Sequence, residues 1–126
     1  MFDGRDFEAA ERRVDDWQAG IEARAAQTRD LSARLTRLLA TARSDDNLVE
    51  VTVGATGDLV ALTLDERIRQ RPAADTAREI MATLRQARAA LVTAVAAATD
   101  ETVGTDSATG RAIIASYTGR LGDPDA

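Results

Sequence analysis

All sixteen basic side chains of this sequence are arginine, and three of them alternate in the run "RIRQR" as Arg67, Arg69 and Arg71, with Arg85 and Arg88 following shortly after. A guanidinium presents a planar fork of donors matched to phosphate oxygens, so the chemistry suggested here is the holding of a phosphate backbone. In an extended segment Arg67, Arg69 and Arg71 would project to one side, while Arg85 and Arg88 would flank the apolar stripe of a following helix. Arg12 and Arg13 are outer candidates nearer the N-terminus. The plainer alternative is that many of these arginines pair with nearby carboxylates, as charge runs commonly do.

Other chemistry is poorly supplied. The chain has no Cys, no His and no Lys, which removes disulfides, thiolate nucleophiles, the usual zinc ligands, the imidazole base and the Schiff-base or P-loop lysine. The acid pairs Asp15 and Asp16, Asp45 and Asp46, and Asp65 and Glu66 could in principle hold a metal or move protons. No glycine-centred ligand loop or nucleophile accompanies them, so no catalytic residue, metal or cofactor is expected. "GATG", residues 54–57, has the letters of an RNA-binding KH loop, but its neighbours alternate like strands and Asp58 follows it, so it reads as a hairpin turn. Nor does it open a helix, as a dinucleotide-binding glycine loop would.

The elements that must carry the arginines follow from periodicity. From Phe7 to Leu38 apolar residues recur on two rows seven apart, with Val14, Trp17, Ile21, Leu31 and Leu35 as the main members and breaks at Arg24 and Thr28. That predicts a long helix with a coiled-coil-like seam, packed either within its own domain or against another chain. The helix should end near "TARSDDN", and residues 40–46 form a loop or a short edge strand. Val49, Val51 and Val53, then Val60, Leu62 and Leu64 after a turn at Gly54–Asp58, predict an antiparallel hairpin with one apolar face. Pro72 and a Thr76/Glu79 capping box announce a second long helix running to about Thr99, with Ile80, Leu84, Ala87, Leu91 and Val95 as its buried stripe. Beyond it Gly104, Gly110, Gly119, Gly122 and Pro124 mark a looser tail, with a short helix around Arg111–Tyr117 docking through Ile113, Ile114 and Tyr117. The expected class is therefore α+β, with a domain over residues 1–101 and a tail over 102–126.

Length and composition agree with one globular domain of 126 residues, 44% apolar, whose 3% aromatic content leaves Ala, Val, Leu and Ile to build the core. Charge is unevenly placed: residues 1–43 are neutral, 44–66 carry a net −6, 67–100 a net +3 and 101–126 a net −2, for −5 in total. Positive potential is thus confined to "RIRQR" and the second helix. The N-terminus is charged and lacks the apolar stretch of a secretory signal, and "AALVTAVAAAT" is too short to span a bilayer, so a cytoplasmic protein without membrane contact is expected.

The order of a long helix, "LVEVTVGATGDLVALTLDERI" and a Pro-led "AREIMATLRQARAAL" helix resembles the YbaB/EbfC family of nucleoid-associated proteins. The resemblance rests on Val49, Val51 and Val53, the turn with Gly54 and Gly57, and a second strand with Leu62 and Leu64 before Asp65, and it covers roughly residues 7–100. It implies a non-enzymatic, sheet-mediated homodimer that binds duplex DNA in the nucleoid with little sequence preference. Val49, Val51, Val53, Val60, Leu62 and Leu64 would then be dimer-interface candidates, because pairing a hairpin with a symmetric copy covers its apolar face and open edge. Trp17 on a longer, neutral first helix, together with the tail "SATGRAIIASYTGRLG", resembles the actinobacterial branch. A second reading is a protein-interaction or chaperone-like accessory module of the same fold, linked for example to an actinobacterial secretion system and not binding DNA.

Overall fold

The computed structural model describes residues 4–122; Pro124, read above as a tail marker, lies outside them. Its elements are α1 (Gly4–Thr36), β1 (Ala40–Arg43), β2 (Val49–Val53), β3 (Leu59–Leu64), a 3₁₀ turn (Glu66–Gln70), α2 (Ala73–Thr102) and α3 (Ala108–Leu121). The fold is α+β, and the uncertain segment after the first helix is a true strand, giving a three-stranded antiparallel sheet in the order β1-β2-β3.

Period-two alternation decides the faces of this sheet. Val49, Val51 and Val53 are fully buried against α2, which lies across β1 and β2. The opposite face is polar, with Thr41 and Thr52 sharing a 2.7 Å hydrogen bond and Arg43 Nε donating to Glu50 Oε2 at 2.6 Å. Val49 stands opposite Leu64 and Val51 opposite Leu62, but the register slips between Thr52 and Val53. Val60 is the extra residue of the resulting bulge, and it is 58% exposed. The 54–58 turn closes through Gly57 N–H to Gly54 O and Gly54 N–H to Asp58 O. Gly57 sits at φ +84, a left-handed conformation that strains any side chain, and a Cβ there would also have to displace the tip of Leu121, 2.6 Å away.

The buried stripe of α2 follows the expected spacing: Ala87, Leu91 and Val95 are inaccessible, and Ile80 and Leu84 are half-buried against the same cluster. Buried Thr83 and Thr99 satisfy their hydroxyls by donating to Glu79 O and Val95 O one turn back. The expected capping box is absent. Pro72 itself is the N-cap, its carbonyl accepts from Asp75 and Thr76 N–H, and Glu79 is engaged with Arg71. Gly104, at φ +83, ends α2 by donating its N–H to Thr99 O. Because Leu91 sits at the centre of this cluster, Leu91→Ala is expected to lower unfolding free energy by about 3 kcal/mol in denaturant melts.

The described residues after α2 hold more regular structure than the expected tail. Ser107 caps α3 by accepting the Gly110 N–H at 2.9 Å, and the helix is twice the expected length, laying Ile113, Tyr117 and Leu121 against the core. The first helix divides at about its last two turns. Leu31 is buried and Leu35 and Leu38 pack on the core, whereas Val14, Trp17 and Ile21 are exposed. The heptad seam is therefore intramolecular only at its C-terminal end.

Candidate nucleic-acid interface

The run Arg67–Arg71 is not extended. Asp65 caps a 3₁₀ turn by accepting the Arg67 N–H, and at three residues per turn Arg67 and Arg69 leave on different sides. Each arginine meets a carboxylate of the acidic hairpin or of the turn itself. Arg67 Nε lies 3.0 Å from Asp65 Oδ1 and Arg69 Nε 3.2 Å from Glu66 Oε2; these pairs are exposed and weakly held. Hydrogen bonds from the Arg67 side chain and N–H hold the Asp65 carboxyl below its ordinary value.

Arg71 is different, being two-thirds covered and bridging Asp46 to Glu79. Asp46 also accepts from the Ser44 hydroxyl at 2.7 Å and from Leu48 N–H at 3.1 Å, while Ser44 Oγ accepts from Val49 N–H. The Ser44 and Leu48 hydrogen bonds, then Arg71, push the Asp46 carboxyl well below the ordinary 3.8. This network ties the β1–β2 turn to the start of α2, so the Arg71 guanidinium is a structural clamp. A carboxyl depressed on folding stabilises the fold above its unfolded value and loses that contribution as pH falls toward the folded one. The thermal midpoint should therefore hold from neutrality to about pH 5 and fall below about pH 4. Asp46→Asn should lower the neutral-pH midpoint by several degrees and flatten the acid limb; calorimetric melts across this range provide the check.

The remaining two inner candidates lie on one flank of α2. Arg88 Nε donates to Gly57 O at 3.0 Å, which fixes that flank as the one facing the β2–β3 turn. Arg85, three residues earlier, is exposed and has no carboxylate partner among the described residues. Exposed Met81, seven residues before Arg88, shares the flank. Arg71, at the β1–β2 turn, and Arg88, at the β2–β3 turn, stand at opposite ends of β2, roughly 17 Å apart along the strand. The five arginines are thus spread along the length of the sheet rather than clustered at one point.

On α1, Arg12 donates to its own helix at Glu8 O, and Arg13 is exposed without a carboxylate partner among the described residues. Both stand among Glu8, Glu11, Asp15 and Asp16. Arg24 and Arg29 are also uncommitted and were not singled out from sequence, where Arg24 registers only as a break in the apolar rows. Residues 4–30 hold five arginines and seven acids, a net −2, so this arm is not a basic surface.

Of the six expected interface residues, Val49, Val51 and Val53 are covered by the chain's own α2 and present no side-chain surface to another molecule. Val60, Leu62 and Leu64 are exposed on β3, as is Leu59, which the bulge brings opposite Val53. Among the described residues β3 has a neighbour on one side only, so its outer edge is open there. Leu62 and Leu64 lie on the α2 side of the sheet, in the strip that α2 leaves uncovered.

A family model described as the YbaB/EbfC DNA-binding family matches residues 12–106, which takes in most of α1, the whole sheet and α2 and stops short of α3. No curated protein and no solved structure matches.

Proposed function

The chain belongs to the YbaB/EbfC DNA-binding family, and from that premise we propose that it acts in the nucleoid as a homodimer, joined through β3, that holds duplex DNA by arginine–phosphate contacts with little sequence preference. The flank of α2 carries this reading, because Arg85 has no carboxylate partner among the described residues and Arg88 is held only by a backbone carbonyl. Arg67 and Arg69 can join them by exchanging weak, exposed ion pairs for phosphate. Arg71 stays in its clamp, and Arg12 and Arg13, crowded by acids, are assigned no phosphate.

A two-fold axis at β3 supports the arrangement. It would pair the two open edges into a continuous sheet, cover Leu59, Leu62, Leu64 and Met81, and repeat the α2 flank across the axis. Doubling the cations matters for a chain of net charge −5, since binding driven by counterion release needs a locally basic surface. The test is fluorescence anisotropy of two unrelated duplexes of about two helical turns, at low and near-physiological salt. Saturable binding to both that weakens steeply with salt is the expected result. The net-negative arm favours a second reading, a protein-interaction module of the same fold, which absence of binding at the lowest salt would select.

A further inference from the structure

Residues 4–30 of α1 contain no buried residue, yet they carry Val14, Trp17 and Ile21 on one side at heptad spacing, with Trp17 67% exposed. Most helical stability in proteins comes from packing an apolar face, which this arm lacks within its own chain, and a narrow seven-residue repeat is the geometry of a helix pair rather than of a broad core-facing stripe. We infer that this arm pairs antiparallel with the same arm of a second copy of the chain, along Ala10, Val14, Trp17 and Ile21.

The choice of a second copy rests on self-complementarity. In one antiparallel register Val14 faces Trp17 of the other copy and Ala10 faces Ile21, so in these layers the smaller residue meets the larger. The flanking positions then set Glu11 beside Gln18, Arg13 beside Gly20 and Asp6 beside Gln27, and no like charges meet. Arg24 falls opposite the Phe7 ring, where a guanidinium is well received. The parallel in-register pairing fails on the same sequence, because it puts Arg24 against Arg24 inside the seam and Asp6 beside Glu11. The antiparallel overlap from Phe7 to Arg24 is about 27 Å long. It is isologous and shares no residue with β3 or the α2 flank, so it stands apart from DNA binding and adds a second self-interface to the chain.

Because the chain lacks cysteine, disulfide trapping gives a direct test. Ala10→Cys and Ile21→Cys proteins, purified separately, mixed and oxidised, should yield a cross-linked A10C–I21C pair. Ala10→Cys alone should not cross-link, since antiparallel arms hold its two copies about 16 Å apart, beyond disulfide reach. Trp17, the single tryptophan, should emit at short wavelength in concentrated protein and shift red on dilution, or at any concentration in a Val14→Glu, Ile21→Glu variant. Cross-linking of Ala10→Cys with itself as readily as with Ile21→Cys would overturn the antiparallel seam. Absence of any cross-link, with Trp17 emission that of a water-exposed indole at all concentrations, would overturn the pairing altogether.

Discussion

Arg85→Glu with Arg88→Glu is expected to lower affinity for a duplex of about two turns by at least ~100-fold at about 50 mM salt. Each protomer loses two cations and gains two anions, so a dimer forfeits four phosphate contacts. At roughly 0.9 per contact, the slope of log affinity against log salt should flatten by about 3 to 4. Arg88 also holds the Gly57 carbonyl, so its replacement disturbs the hairpin turn as well as the charge. Arg85 is exposed and anchors nothing among the described residues, which makes Arg85→Glu alone the cleaner probe. It should give about half the slope change with an unaltered melting curve. Anisotropy titrations over a salt series measure both quantities, and unchanged affinity and slope in the two variants would remove this flank from the DNA surface.

The placement of these arginines separates what periodicity reveals from what it hides. Val49, Val51 and Val53, or Leu84, Leu91 and Val95, disclose strand and helix because their spacing repeats and each buries one face. The sheet, its turn and the core stripe of α2 were legible for that reason. Pairing between distant charges has no such periodicity. Asp46 and Arg71 are far apart in sequence and meet only because the β1–β2 turn and the start of α2 come together, so an arginine that resembles a phosphate ligand is in fact a clamp. The acidity of residues 44–66 has the same explanation: Asp46, Glu50, Asp65 and Glu66 each meet an arginine, and the basic run is largely matched to the acidic hairpin.

Local backbone devices were hidden as well. A 3₁₀ turn capped by Asp65 defeats the alternating projection of Arg67, Arg69 and Arg71, and one bulge residue, Val60, breaks the pattern that would give β3 a uniform face. The apolar pattern of the hairpin correctly implies a covered face, but not whether α2 or a second chain supplies the cover. In α1 the same ambiguity resolves both ways along one helix: Leu31 is buried at home, while Trp17 is not. The extra length of α3 escaped notice because its glycines, Gly110 and Gly119, resemble loop punctuation.

The proposed dimer hub at β3 gives the other large expected effect. Leu62 stands opposite Val51 on β2, on the side of the sheet that α2 occupies, yet α2 stops short of it and leaves it exposed. A lysine in the middle of an open edge strand blocks pairing with another edge, while costing the single chain little, because Leu62 buries little within it. Leu62→Lys is best made together with Val14→Glu and Ile21→Glu, so that the α1 arms cannot hold copies together in place of the sheet. Against the arm-blocked background, the added Leu62→Lys should change the mass in light scattering from twice 13.4 kDa to 13.4 kDa, with the melting midpoint nearly unchanged. Duplex affinity should fall at least ~100-fold, since the second set of arginines would no longer be tethered to the first and would have to bind as a separate event. A variant that stays dimeric would move the hub away from β3. A monomer that binds DNA as tightly as its parent would show that one α2 flank suffices, and that the two-fold repetition of Arg85 and Arg88 is not what overcomes the net negative charge.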